Sequence, residues 1–320
     1  MNSQAPYVQK SQNKKIRSKK MREATNKVYI EGILSETDLK NGSFEKDGRT
    51  TEYLGGSIKI RVNSKEGLLE IPVKLFANKT KRDGNANPAY ASVQRILDEM
   101  HSIAQVGEAD ATRVRLTGKI SMNEYPSQDG SSMISYPQIQ ASFVNVVRKD
   151  EMKPKADFSI EMMLANMSPE LDKEGIETGN MIIRGVVPGW GDTVDVIPFI
   201  VKSENVRAAI NEYWQENDCV AAEGRLNFTS TVRTEIVNPG FGEPHEETRT
   251  LNLSELVITG GCPTPLEGDK AWTLEEISAG LSKRKERQEQ QKANGRARAA
   301  QRKAPAQNSS TASMGLDLGF

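Results

Sequence analysis

Two neighbouring stretches decide the fold: SIKIRV at residues 57–62 and EIPVKLFA at residues 70–77. In both stretches every second residue is apolar, which is typical of a β-strand with one buried and one solvent-facing side. Turn-forming residues separate them, and a third strand-like run, VYIEGIL, precedes them at residues 28–34. The sequence therefore predicts three strands between residues 28 and 77.

A helix and two further strands complete this first unit. Residues 91–100 place apolar side chains on one helical face, after an Asn-Pro start signal at residues 87 and 88. Residues 113–122 and 138–147 then alternate as strands, and a long polar hairpin joins them. The predicted order is three strands, one helix and two strands.

The same kinds of element recur between residues 180 and 260. We predict strands at residues 180–190 and 192–201, a helix at 206–214, and strands at 219–230 and 250–260. Three phrases match the first unit, and they centre on Gly32 with Gly185, Pro72 with Pro198, and Gly118 with Gly224. We interpret this as a second copy of the unit. Residues 158–178 fit neither copy, and we expect them to add a strand and a polar loop.

Five strands with one helix between the third and the fourth are typical of an oligonucleotide-binding Greek-key barrel, the OB-fold. Small barrels close through sharp strand bends, which Gly32 and Gly185 in first strands and Gly118 and Gly224 in fourth strands would allow. The same glycines also suit ordinary bulges in another antiparallel sheet. The predicted fold is mainly β: two OB-fold-like five-stranded barrels in tandem, with flexible basic N- and C-terminal arms.

We divide the chain into five parts. Residues 1–27 form a disordered basic arm, residues 28–156 the first barrel, and residues 157–262 the second barrel. Residues 263–303 form an amphipathic and then basic helix, which starts at a capping pattern of Thr273 and Glu276. Residues 304–320 form a flexible polar tail.

Charge is unevenly distributed although the chain as a whole has no net charge. Residues 1–27 and residues 283–303 each carry a net charge of +7, whereas residues 28–156 carry +1 and residues 157–282 carry −14. A polyanion is repelled by the acidic second barrel, so the first barrel and the arms are the better candidates for phosphate contacts. The acidic barrel suits protein contacts, self-association or holding the basic arms.

Several classes of protein are disfavoured by composition. No apolar run is long enough to span a membrane, and the first residues do not read as a secretory signal. Two cysteines and two histidines argue against a zinc site or a catalytic triad, and phosphate-cradling glycine motifs do not follow any predicted strand. We expect a protein without enzymatic activity, metal or cofactor, located in the cytoplasm, or in the host cytoplasm if it is viral.

Single-strand binding by such a barrel needs cations along the phosphates and aromatic rings on which bases stack. The candidate residues are Lys59, Arg61, Lys74, Phe76, Lys79, Lys81, Arg82, Tyr125 and Tyr136. Phe44 and Tyr53 fall in the predicted loop after the first strand. Alternatives stay open: the strand cations also suit a plain solvent face, Phe76 suits the core, and the tyrosines suit bracing of the hairpin ends.

The two barrel-like units over residues 28–262 and the polar tail resemble single-stranded DNA-binding proteins of bacteriophage and bacterial mobile-element replication. The resemblance implies sequence-tolerant binding of single-stranded DNA in replication or recombination. In bacterial members an acidic C-terminal tip with a final Phe docks onto replication and repair proteins. Here the corresponding candidates are Leu316, Asp317, Leu318 and Phe320, with one acidic residue only.

Two other functions fit the same features. A virion structural or scaffold protein would use its basic tails on packaged nucleic acid while its β-domains assemble. A binder of single-stranded RNA would use the same stacking and phosphate contacts.

Overall fold

The computed structural model describes residues 20–46, 48–65, 67–237, 241 and 245–303. Its first five strands are β1 (Asn26–Lys46), β2 (Arg49–Ser64), β3 (Gly67–Asn78), β4 (Arg113–Pro126) and β5 (Met133–Val146). The next five are β6 (Lys155–Leu171), β7 (Glu177–Pro188), β8 (Val194–Val201), β9 (Cys219–Val237) and β10 (His245–Gly261). The helices are α1 (Pro88–Glu99), α2 (Ile103–Val106), α3 (Glu204–Tyr213) and α4 (Leu274–Lys303).

Each set of five strands closes on itself. In the first unit the pairing runs β1–β2–β3–β5–β4 and returns to β1, and only β3 and β5 pair in parallel. The second unit repeats this pattern as β6–β7–β8–β10–β9, with β8 and β10 parallel. Helix α1 or α3 lies between the third and fourth strands of each unit. The prediction of two OB-like barrels in a mainly β fold is confirmed.

The strand assignment within the second barrel differs from our expectation. Residues 158–178 are not an addition to the unit, because β6 is the first strand of the second barrel. Gly185 therefore lies in the second strand, β7, and is not the counterpart of Gly32 in β1. Successive residues 162–164 of β6 are all buried, so the strand lacks the alternation by which we recognised the others.

The other two matched phrases are equivalent in the structure. Gly118 and Gly224 occupy the same position in β4 and β9 and pair with Val28 and Phe158 of the first strands. A Cβ atom on Gly224 would lie 2.3 Å from the Phe158 ring, so a side chain does not fit there. Pro72 and Pro198 both lie on the outer side of third strands.

Strands β1 and β6 join the two barrels. Residues 26–31 of β1 pair antiparallel with residues 155–160 of β6, which makes one sheet of all ten strands. The buried apolar side chains of both barrels form one continuous core across this junction. Beside it, Glu31 accepts hydrogen bonds from Arg115 Nε at 2.7 Å and from the Lys153 backbone N–H at 2.6 Å. These bonds, that from Arg115 above all, lower the pKa of Glu31.

Residues 20–27 are ordered, in contrast to the disorder that we expected for the whole N-terminal arm. Met21 is buried with Trp272, Ile277 and Cys219 in a small second apolar cluster against the second barrel. The Arg22 guanidinium lies 2.7 Å from the Glu161 carboxylate and stacks over the Trp272 ring at 4.3 Å. Packing of the apolar residues and pairing of Arg22 explain the order. Residues 1–19 lie outside the described part.

Helix α4 spans both barrels. Its first turn is closed by the predicted capping box, in which Thr273 and Glu276 exchange hydrogen bonds. Gly280 lies against Val194 of the second barrel, and Arg296 Nε donates to the carbonyl of Gly130, in the β4–β5 turn of the first, at 3.1 Å. No helix among the described residues is long and apolar enough to cross a membrane.

Candidate nucleic-acid interface

Three aromatic rings lie in a row on the outside of the first barrel. Phe44 and Tyr53 belong to β1 and β2, which continue as a hairpin through the region that we expected to be a loop. The ring centroids of Phe44 and Tyr53 are 5.9 Å apart, and those of Tyr53 and Phe76 are 5.2 Å apart. Phe76 is 55% exposed, so it belongs to the surface and not to the core. We call Phe44, Tyr53 and Phe76 the aromatic row.

Two glycines make room for the rings of the aromatic row. Gly42 pairs with Tyr53 across the hairpin, and a Cβ atom there would lie 2.5 Å from the Tyr53 ring. Gly55 pairs with Phe76, where a Cβ atom would be 3.0 Å from the ring. The rings therefore lie over bare backbone, and their outer surfaces stay open to solvent. An open groove of about 590 Å³ runs beside them, lined also by Lys40 and Gly56.

The strand cations share a face with the aromatic row, but carboxylates pair with two of them. Lys59 lies 2.7 Å from Glu36, and Arg61 lies 2.7 Å from Glu70. The hydrogen bond to Glu70 raises the pKa of Arg61 and fixes its guanidinium. Lys74, two residues before Phe76 on β3, has no carboxylate partner among the described residues.

The cluster after β3 lies at the end of the aromatic row. Lys79 forms an ion pair with Glu52, a neighbour of Tyr53, and this hydrogen bond raises the pKa of Lys79. Lys81 and Arg82 are exposed, and nothing in the described part of the chain pairs with their side chains. The loop itself is ordered by a bridge between residues 80 and 86. The loop therefore presents two exposed cations, two and three residues after Lys79.

The two predicted tyrosines meet in the hairpin between β4 and β5. Their rings are 6.2 Å apart and edge to face, and each tyrosine is about two-fifths exposed (41% and 42% for Tyr125 and Tyr136). Asn123 Nδ2 donates to the Tyr136 hydroxyl at 2.6 Å. The pair both braces the hairpin and leaves ring surface open, so the two alternatives that the sequence offered are compatible.

Helix α4 supports this hairpin from behind. Arg284 pairs with Glu124, next to Tyr125, and Gln288 Nε2 donates to the same carboxylate at 2.9 Å. Asp195 of β8 is half-buried and accepts the backbone N–H of Met122 in β4 at 3.4 Å, and its partial burial raises the pKa of its carboxyl group. The hairpin is therefore held in place by contacts from the second barrel and from α4.

Sequence analysis missed two cations on this surface. Lys119 of β4 is exposed and pairs in register with Gln140, which in turn pairs with Lys74. Lys40 lines the groove beside the aromatic row, 2.9 Å from Asp38. The alternation of residues 113–122 could have identified Lys119, because it shares a face with Arg115.

The candidate residues thus form two groups on one barrel. Phe76, the strand cations and the cluster after β3 lie with the aromatic row, whereas Tyr125 and Tyr136 lie in the β4–β5 hairpin. In OB-folds the ligand surface is formed by the second and third strands, together with the loop between the first and second strands and the loop between the fourth and fifth. Leu316, Asp317, Leu318 and Phe320 lie outside the described residues. Within the described ranges no group of three or more His, Cys, Asp or Glu residues could hold a metal ion.

The second barrel lacks the aromatic row in its described part. By the equivalence of Pro72 and Pro198, the counterpart of Phe76 is Lys202, which pairs with Glu255 at 2.6 Å. Leu171 and Ile176 are exposed at the β6–β7 hairpin, where the first barrel carries Phe44 and Tyr53. Stacking surfaces on the third strand and first hairpin therefore distinguish the first barrel.

Comparison with known proteins places this chain in a family. The YorF family model matches residues 24–294, which include both barrels and most of α4. The chain belongs to the YorF family. A comparison with curated proteins gives no match.

Solved structures similar to this YorF family member include two of the single-stranded DNA-binding protein from Thermus aquaticus. A deletion mutant of it has a TM-score of 0.43 and 12% identity, covering 80% of this chain and 100% of that one. The wild-type protein has a TM-score of 0.43 and 11% identity, covering 77% and 96%. A replication protein A heterotrimer bound to single-stranded DNA has a TM-score of 0.21 and 8% identity, covering 72% and 49%.

Proposed function

We propose that this protein binds single-stranded DNA without sequence preference through the outer face of its first barrel, in replication or recombination. The observation that carries the proposal is the aromatic row. Phe44 and Phe76 are exposed and Tyr53 is half-exposed, the rings of Tyr53 and Phe76 lie over glycines, and all three rings border an open groove. Every base has a π-face, and stacking on an aromatic side chain contributes about 1–3 kcal/mol per base. Such a surface therefore binds unpaired bases of any sequence.

Phosphate contacts come from the cations that lack an internal partner. Lys74, Lys81, Arg82 and Lys119 meet this condition among the described residues, whereas Lys59, Arg61 and Lys79 are held by carboxylates. Four phosphate contacts on a single strand predict a slope of about −3 for log affinity against log salt concentration. We therefore expect stacking to supply much of the affinity, with moderate salt dependence from the barrel alone.

The β4–β5 hairpin provides a second stacking surface for the same strand. Tyr125 and Tyr136 are held by Asn123 and by the contacts of α4 with Glu124. Because the hairpin is already fixed, little conformational entropy is lost when a base stacks on it. We propose further that replication or recombination proteins dock onto the C-terminal residues Leu316, Asp317, Leu318 and Phe320.

A titration of the full chain with labelled oligo-dT at several salt concentrations tests the proposed function. We expect binding at low salt, a negative linear dependence of log affinity on log salt concentration, and much weaker binding to duplex DNA of equal length. Absence of binding to oligo-dT at low salt would refute the proposal. Equal affinity for single and double strands would favour the scaffold function, and tighter binding of oligo-U would assign the site to RNA.

A further inference from the structure

Trp190 is the most exposed tryptophan of the described residues, and it lies on the second barrel. Its ring is 70% exposed, whereas Trp214 and Trp272 are each only 4% exposed. A tryptophan side chain normally gains its stabilising free energy from burial, and an exposed indole offers a large ring surface on which a base can stack. Trp190 lies in the short turn between β7 and β8.

The turn presents Trp190 in a fixed position. Gly189 donates its backbone N–H to the Thr193 carbonyl at 2.8 Å, and Thr193 Oγ1 donates to the Trp190 carbonyl at 2.9 Å. Asp192 has a φ of 56°, which is unusual for a residue other than glycine, and its carboxylate accepts the backbone N–H of Met21 at 3.0 Å. The exposed indole is therefore held by an ordered turn that is tied to the buried N-terminal segment.

Two cations lie at the turn that carries the exposed indole. Lys20 Nζ lies 5.3 Å from the ring centroid. The Lys283 side chain is 60% exposed, and its Nζ is 3.7 Å from the Asp192 carboxylate, a longer separation than the 2.7 Å of the Lys59 and Arg61 pairs. An aromatic ring flanked by cations is the combination that binds a stacked base and its phosphates.

Helix α4 connects this place to the first barrel. Lys283 lies beside the Trp190 turn, and Arg296 contacts the tip of the β4–β5 hairpin. Thirteen residues of helix separate them, a distance of about 20 Å. Arg287, one turn after Lys283, is exposed and lies 3.7 Å from the Glu124 carboxylate of the first barrel. The helix thus bridges the two stacking surfaces with cationic side chains.

We propose that Trp190, with Lys20 and Lys283, forms a second contact for single-stranded DNA, reached from the β4–β5 hairpin along α4. This inference rests on the proposed function of the first barrel. At about 3.4 Å per nucleotide of a stacked strand, the 20 Å of helix corresponds to about six nucleotides. Short oligonucleotides occupy the first barrel alone, and longer ones also reach Trp190.

The test compares oligo-dT of about 8 and about 30 nucleotides on the full-length wild type, Trp190→Ala, Trp190→Phe and the control Tyr213→Ala. Tyr213 is an exposed aromatic residue on α3 of the same barrel. We expect Trp190→Ala to weaken binding of the long oligonucleotide about tenfold, with little change for the short one. Trp190→Phe keeps a ring, so it should retain most of the affinity. It should lose the quenching of tryptophan fluorescence, because the remaining tryptophans are buried.

The outcomes separate the two proposals. If the long oligonucleotide binds wild type and Trp190→Ala equally while Phe76→Ala weakens it, the second contact is wrong and the function of the first barrel stands. If neither oligonucleotide binds wild type, the proposed function itself fails. An equal loss for Trp190→Ala and Tyr213→Ala would also overturn the second contact, since it would show a general effect on the barrel.

Discussion

Replacing Phe76 with alanine removes the end of the aromatic row with little change to the core. The ring is 55% exposed and touches Tyr53 at 5.2 Å, so its loss removes one ring pair and about half of a phenylalanine's burial. Together these losses destabilise the fold by about 1–3 kcal/mol. Loss of one stacked base weakens DNA binding by about 1–3 kcal/mol, which is about 5-fold to 150-fold.

Two measurements on the same variant separate these effects. Denaturant unfolding gives the change in stability, and fluorescence anisotropy with labelled oligo-dT gives the change in affinity. A Phe76→Leu variant keeps the apolar bulk without the ring and should lose nearly as much affinity as Phe76→Ala. The slope of affinity against salt should stay as in wild type, because no cation is removed. Wild-type affinity in Phe76→Ala at a temperature where it is folded would refute the stacking argument.

Three further predictions concern the site and the barrel junction. Gly42→Val should weaken oligo-dT binding about fivefold or more with a small effect on thermal stability, because the new side chain displaces the half-exposed Tyr53 ring; unchanged affinity would contradict it. Asp195→Asn should raise the free energy of unfolding at pH 7. Burial raises the pKa of Asp195, so ionisation of its carboxyl group costs stability as pH rises, and the asparagine removes this cost. Denaturant titrations should show that the gain in stability disappears below about pH 4. Glu31→Gln should lower the free energy of unfolding at pH 7, because the hydrogen bond from Arg115 lowers the pKa of Glu31 and so stabilises the folded protein when Glu31 is ionised. The difference in stability from wild type should become smaller as pH falls below about 4. A difference that does not change with pH would contradict this explanation.

Sequence patterns identified the first barrel well because its strands bury one face only. In β3, buried and outward residues alternate from Leu69 to Asn78, and the register then places Lys74 and Phe76 on the outer side. The hairpin β1–β2 was mistaken for a loop because its outer half is rich in polar residues and glycine. These glycines make room for aromatic rings from the paired strands, a contact that no local pattern reveals.

The second barrel was harder to read for a different physical reason. The middle of β6 is buried on both faces, because Met162 and Leu164 pack into the main core while Met163 packs into the second apolar cluster, so alternation is lost there. Glycine spacing then matched Gly185 to Gly32, although Gly185 faces Met162 from the second strand. Ion pairs between side chains on neighbouring strands, such as Lys59 with Glu36, also cannot be predicted from the sequence until the register of the strands is known.

The two barrels are joined by the pairing of β1 with β6 and by a shared core, and not only by the segment of residues 147–154. If the chain were divided between residues 146 and 155, each fragment would expose an unpaired strand edge and part of the shared core. We therefore expect neither fragment to fold stably and remain soluble on its own. Heat or denaturant should melt the two barrels in one transition. A nucleic-acid strand that binds both barrels would therefore find its two binding surfaces at a fixed distance. The gain in affinity from the second surface would depend on this distance and not on the length of a flexible linker.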